Sequence, residues 1–165
     1  MAVIEGPEVV LVNKNGEWSG SSSYSDSRIT RYEWDMGDGS KPVRKATVKH
    51  KYKQPGTYTI TLTVTDQDGN TDTTTLEVVV VEPPEAVING PASVKQLHVA
   101  SFDGSQSAGS RIVRYEWDMG DGRPALEGPS VEYMWPRTGT YTVRLTVTDE
   151  FGHTGTTTLK VKVTK

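Results

Sequence analysis

Arg28-Ile29-Thr30-Arg31-Tyr32-Glu33-Trp34-Asp35-Met36-Gly37-Asp38-Gly39 returns 83 residues later as Arg111-Ile112-Val113-Arg114-Tyr115-Glu116-Trp117-Asp118-Met119-Gly120-Asp121-Gly122. In each copy Tyr and Trp alternate with charged residues and the run ends in Asp-Gly. That is the pattern of a strand with one apolar face running into a turn. A second stretch, Gly56-Thr57-Tyr58-Thr59-Ile60-Thr61-Leu62-Thr63-Val64-Thr65-Asp66, returns at the same offset as Gly139 to Asp149. The openings Ala2 to Pro7 and Ala86 to Pro91 lie 84 apart, so one residue is missing from the second copy, in the serine-rich loop before Arg111. Two units are too few for a repeat array that shares its core, and each copy must bury its own. Consecutive prolines end the first copy: the predicted domains are residues 1–82 and 85–165, with Pro83-Pro84 as a stiff polyproline linker.

Inside each copy the apolar period is two. Tyr58, Ile60, Leu62 and Val64 alternate with threonines; Leu76, Val78 and Val80 continue the theme, as do Leu159, Val161 and Val163. Turn signals at Gln54-Pro55-Gly56, Asp68-Gly69-Asn70 and Phe151-Gly152 separate the runs. Nowhere do apolar residues recur at helical spacing over three turns. Short strands with turns this frequent predict an all-β chain of two antiparallel sandwiches, seven strands each. An odd strand count brings the chain in at one end and out at the other, and tandem copies are then expected to stack into a rod.

The chain has 165 residues, no cysteine, and a net charge of −3 from 18 basic and 21 acidic residues. Without cysteine there is no disulfide and no thiolate for catalysis or metal binding. The weak charge argues against a nucleic-acid partner, and no apolar run approaches the length of a membrane span. Met1 to Pro7 lacks the basic start and apolar centre of a signal peptide, and Met1 reads as an expression start on an excised fragment.

Trp34-Asp35-Met36-Gly37-Asp38-Gly39 and Trp117-Asp118-Met119-Gly120-Asp121-Gly122 resemble the Trp-Asp-Phe-Gly-Asp-Gly signature of the PKD (polycystic kidney disease) domain family. The resemblance extends through Tyr52-Lys53-Gln54-Pro55-Gly56-Thr57-Tyr58, its counterpart Trp135 to Tyr141, and the strands ending Val64-Thr65-Asp66 and Val147-Thr148-Asp149. Met36 and Met119 stand where the signature has Phe, a soft apolar exchange. The resemblance implies an immunoglobulin-like sandwich from an extracellular or cell-surface protein, of the kind that serves as a spacer, an adhesive unit or an accessory domain beside secreted hydrolases.

Each residue that could carry chemistry has a structural alternative. Trp34 and Trp117 suit sugar stacking, but they share a strand face with Tyr32 and Tyr115, and a mid-strand Trp in a small sandwich reads as core. Tyr58 and Tyr141 join that core set. Trp18 aligns with Phe102 and Tyr52 with Trp135, and large aromatics at matched places read as packing. Asp35, Asp38, Asp118 and Asp121 suit metal or paired-carboxylate chemistry; beside Gly39 and Gly122 they read first as turn devices whose carboxylates accept backbone N–H bonds. Asp66-Gln67-Asp68-Gly69-Asn70 looks like a calcium loop, yet the second copy has Phe151 in place of Asp68, which makes it a turn. Calcium-binding relatives of the family use an acidic loop before the Trp strand. Here that loop is Ser25-Asp26-Ser27 against Ala108-Gly109-Ser110, so weak calcium binding is expected at Asp26 alone, with no other metal or cofactor. His50, His98 and His153 lack zinc spacing, and no serine sits in a nucleophile elbow.

Lys41, Arg44, Lys45, Lys49, His50, Lys51 and Lys53 form a run with no acid between them. It reads as a solvated edge strand whose lysines block stray pairing, or more sharply as a patch for an anionic polysaccharide or acidic partner. Tyr133 and Trp135, beside Pro136, are the expected exposed aromatic cluster. Taken together the sequence predicts no enzyme but a monomeric structural or adhesive spacer, partnered by other domains of a larger extracellular protein. The alternative is an accessory module that binds collagen, chitin or another polysaccharide for a secreted hydrolase.

Overall fold

Threonine and β-branched residues alternating along a chain form strands wherever a partner lies within reach. The computed structural model describes residues 1–165 as thirteen strands and no helix. The chain divides into two units, Met1–Glu82 and Pro83–Lys165.

In the first unit the strands are β1 (Val9–Leu11), β2 (Gly16–Ser19), β3 (Ile29–Asp35), β4 (Thr47–His50), β5 (Gly56–Asp66) and β6 (Thr71–Val81). One sheet has the order β1-β6-β5-β3 and the other consists of β2 and β4. Their inner faces enclose a core of Trp18, Trp34, Met36, Tyr52, Leu62 and Val78, each at most 1% exposed. The second unit contains β7 (Ser93–Lys95), β8 (Ala100–Asp103), β9 (Ile112–Asp118), β10 (Leu126–Glu127), β11 (Ser130–Tyr133), β12 (Gly139–Asp149) and β13 (Thr154–Thr164). Its sheets are β10-β9-β12-β13-β7 and β11-β8.

The second unit thus has seven strands and the first six, because β10 is represented in the first only by a bridge between Trp34 and Val43. In the second, Gly128 at φ +121° carries the ladder one step further by donating its N–H to Tyr115 O. Lys45 occupies that place in the first copy, and a residue with a Cβ rarely adopts such a φ. The missing residue is also located. Ser23 and Ser107, 84 apart, accept the same opening-strand N–H, from Val3 and Val87. Arg28 O and Arg111 O, 83 apart, accept from Gln67 and Glu150. The deletion therefore falls within Ser25-Asp26-Ser27 against Gly109-Ser110.

The two cores share positions but exchange volumes. Trp18 meets Tyr52 edge-on at 6.2 Å, and Phe102 meets Trp135 edge-on at 5.9 Å. The indole has moved from the small sheet to the segment after it, and aromatic volume is nearly conserved, which a close-packed core tolerates best.

In both units a short early strand pairs in parallel with the last. Val9, Val10 and Leu11 face Val79, Val80 and Val81, extended by bonds from Val79 N to Glu8 O and from Val12 N to Val81 O. Ser93, Val94 and Lys95 face Lys162, Val163 and Thr164, extended from Lys162 N to Ala92 O and from Gln96 N to Thr164 O. Every other strand pair is antiparallel.

Candidate functional site

The Trp strand delivers its motif to a turn built by its own carboxylates. Asp35 Oδ1 accepts the N–H of Gly37 and Asp118 Oδ1 that of Gly120, both at 2.9 Å. Asp38 accepts from Ser40 N at 3.0 Å and Asp121 from Arg123 N at 3.3 Å. Gly39 and Gly122 take φ +77° and +79°. Gly37 and Gly120 are constrained twice, since beside a left-handed φ they lie against the next strand. A Cβ on Gly37 would stand 2.5 Å from Thr59 O, and one on Gly120 2.6 Å from Thr142 O. The sequence reading singled out only the later glycine of each motif, although the repeat carried both.

Beneath each turn sits an aromatic plug. Tyr52 Oη donates to Met36 O at 2.9 Å, and Trp135 Nε1 donates to Met119 O at 3.3 Å. This corrects the expectation of an exposed aromatic cluster: Trp135 is 0% exposed, as are Trp18, Trp34 and Trp117. Its ring packs between Phe102, Tyr133 and Tyr141. Tyr133 is half-buried and its hydroxyl donates to Asp121 Oδ2 at 2.5 Å. Pro136 suggested a surface loop, but the position belongs to the core, as Tyr52 occupies it in the first copy. Burial, then the Asp121 hydrogen bond, pushes the Tyr133 phenol up, and burial together with the charges of Asp38, Tyr58 and Asp35 pushes the Tyr52 phenol up further.

Tyr133 corresponds to His50, whose Nε2 lies 2.7 Å from Asp38 Oδ2. Burial of Asp38 opposes ionisation, but hydrogen bonds from Ser40 and His50 outweigh it and hold the carboxyl below its ordinary value. At the far end of the long hairpin the exchange is reversed. Asp66 accepts from the N–H groups of Asp68 and Asn70, from Asn70 Nδ2 and from Ser25 Oγ. Asp149 accepts from Phe151 N at 2.9 Å, His153 N at 2.8 Å and His153 Nδ1 at 3.0 Å. Each unit therefore has one Asp–His pair, at opposite ends of the sandwich. Asp66 and Asp149 are the only buried charged side chains. Sequence reasoning took Asp66 as the head of a calcium-like loop and read that loop as a turn, without singling out either carboxylate, although Val-Thr-Asp repeats at the 83-residue offset. Asp26 is exposed, while its neighbours Ser25 and Ser27 are hydrogen-bonded to Asp66 and Asp68. No three His, Asp or Glu side chains gather within ligating reach.

The basic run does not act as one surface. Arg44 pairs with Glu33 at 3.0 Å and Lys49 with Glu17, its cross-strand neighbour, at 3.3 Å. Lys45 lines a groove with Val43, Thr47 and Lys49. Lys51 and Lys53 line a different and larger one, of about 500 Å³, with Ser40, His50, Gln54 and Tyr58. Lys41, Lys45, Lys51 and Lys53 are exposed and have no carboxylate within 4.0 Å. Chemically the turn region can bind and position; its aspartates are engaged by backbone N–H groups, by His50 and by the Tyr133 hydroxyl.

The sequence model described as PKD domain matches residues 1–80 and again residues 81–163. Over 152 residues, 91% of this chain, it is 32% identical to Collagenase ColA of Clostridium perfringens. Over 162 residues, 97% of the chain, it is 34% identical to the Pre-pro-metalloprotease PrtV of Vibrio cholerae. It spans 13% and 17% of the lengths of those two proteins. The fibronectin(III)-like modules of Clostridium thermocellum CbhA share the fold, with a TM-score of 0.53 and 15% identity over 99% of this chain and 94% of theirs. With both Trp-Asp-Met-Gly-Asp-Gly turns, both buried Trp strands and both family matches in place, the chain belongs to the PKD domain family, as two tandem copies.

Proposed function

We propose that this chain is an extracellular, non-catalytic spacer that acts as a monomer and carries other domains of a larger protein. The observation that carries the reading is the parallel pairing of β1 with β6 and of β7 with β13. Tension applied along two parallel, in-register strands loads their hydrogen bonds together in shear, whereas an antiparallel hairpin opens one bond at a time. Each unit closes such a clamp with three paired positions and a flanking bond on either side. Single-molecule stretching tests this: each unit should resist as a discrete event, and proline at Val10, which removes a clamp N–H, should lower the force of the first event only. Unfolding of both units at negligible force sinks the proposal.

A second reading has one observation in its favour, the similarity to Collagenase ColA and to PrtV. On it the chain is an accessory module that holds a protease to collagen or a hydrolase to chitin. The burial of all four tryptophans takes Trp135 out of the contact surface first expected for that role and leaves the basic run. Saturable retention of the chain on insoluble collagen or chitin would favour this reading over the spacer.

A further inference from the structure

We propose that the groove under the Asp38-Gly39 turn of the first unit is a binding site for an anionic polysaccharide, one whose sugars carry carboxylate or sulfate groups. The site goes beyond the spacer role and does not depend on it. Lys51 and Lys53 line the groove without any carboxylate partner, and Lys41 follows directly on Ser40 at its rim. The one acid in the wall, Asp38, has its oxygens engaged by Ser40 N–H and His50 Nε2.

Protection of an open sheet edge does not account for these cations. β4 ends at His50, and the lysine it does contain, Lys49, is paired with Glu17. The second copy supplies the comparison within one molecule: Lys41, Lys51 and Lys53 correspond to Pro124, Met134 and Pro136, and the same fold forms around them. The three charges are therefore dispensable to the sandwich.

The floor favours a sugar over an acidic peptide. Tyr58 is held flat by stacking on Tyr52, at 4.3 Å between centroids and 26° between planes, and by its hydroxyl on Gln54 O at 3.1 Å. Its neighbour on the same strand face is Gly56, where a Cβ would stand 3.8 Å from the ring. Glycine leaves that part of the ring uncovered, and a fixed, half-exposed aromatic face is what an apolar sugar face stacks against. The Gln54 amide and the Ser40 hydroxyl supply neutral partners for sugar hydroxyls, and the volume lies within the range of small-ligand sites.

The test titrates the full chain with hexagalacturonate (carboxylated), sulfated maltohexaose (sulfate without carboxylate), maltohexaose (neutral) and deca-glutamate. Backbone amide shifts and calorimetry are the readouts. One or both anionic sugars should bind saturably, with shifts confined to residues 38–41 and 50–58, and the arm that binds identifies the charged group. K51E with K53E should weaken binding about tenfold or more, as two attractive charges become repulsive at the rim. K160E with K162E, the same charge change on the outer face of β13, should alter it less than about twofold. Melting curves of both double variants should match the parent. The proposal is overturned by no binding of either anionic sugar, by equal binding of the neutral one, by tighter binding of deca-glutamate, or by equal loss in the two double variants.

Discussion

Gly155 offers a sharp perturbation, because its own backbone is unstrained and only its surroundings forbid a side chain. It lies in β13 opposite Val147, with no left-handed φ. In a strand, alanine in place of glycine ordinarily gains about 0.5–1 kcal/mol through a less flexible unfolded chain. Here a Cβ would overlap the Pro84 carbonyl oxygen and come within 2.6 Å of the Pro84 carbonyl carbon. Unstrained carbon contacts stand at about 3.5 Å, so strand or lead-in must yield by roughly 1 Å. Pro84 is buried, and the next residue, Glu85, exchanges both backbone bonds with Ala108, at 2.7 and 2.9 Å. The segment cannot lift without breaking that bridge. The expected net effect of Gly155→Ala is therefore a loss of about 1–3 kcal/mol from the second unit, the usual cost of overpacking. Hydrogen exchange with peptide-level mass spectrometry reads the two units apart. Amides of β12 and β13 should exchange roughly 5- to 150-fold faster, with β5 and β6 unchanged. Unchanged or slower exchange in β13 would mean that Pro84 does not cross there.

Trp135→Ala should cost about 3–5 kcal/mol and melt the second unit alone, with Trp135→Phe much milder; two separate transitions in denaturant would register this. If Trp135→Phe instead abolished retention on an insoluble polymer without moving the melting curve, its burial would be wrong. Asp149→Ala should destabilise the second unit by about 1–3 kcal/mol, because the N–H groups of Phe151 and His153 lose their acceptor, and chemical denaturation measures it. Acid titration of stability has a defined sign. Burial opposes ionisation of Asp38 and Asp149, but their hydrogen bonds prevail and depress both carboxyls below 3.8. Their contribution is whole above the ordinary value and is lost as pH falls through the depressed ones. On this account stability falls in acid, below about pH 5, while a carboxylate-dependent fall on the alkaline side, abolished by Asp149→Asn, would reverse it.

How far the sequence reaches is seen best at Trp135 and Lys51, where comparison of the two copies gave opposite service. Period-two alternation identified β3, β5, β6 and their counterparts directly, since half-buried strands write their burial into every second residue. The segment after β11 has no such period, and Trp135 was read from its neighbours Tyr133 and Pro136 as a surface ring. The alignment with Tyr52 already held the right answer, because a plug under a turn is set by volume rather than by pattern. Asp149 was only partly legible for a related reason: the repeated Val-Thr-Asp marks the position, but a buried carboxylate is defined by the N–H groups turned toward it, and these belong to the backbone of the next four residues. At Lys51 the logic inverts. Where the copies agree, a shared position is explained by the fold both must build; where they differ in charge without differing in fold, folding cannot be the reason. Lys41, Lys51 and Lys53 are one such difference, and two of them line a single groove with the half-buried Tyr58. A duplicated module thereby contains its own control, separating residues that make a sandwich from residues that give one copy of it something further to do.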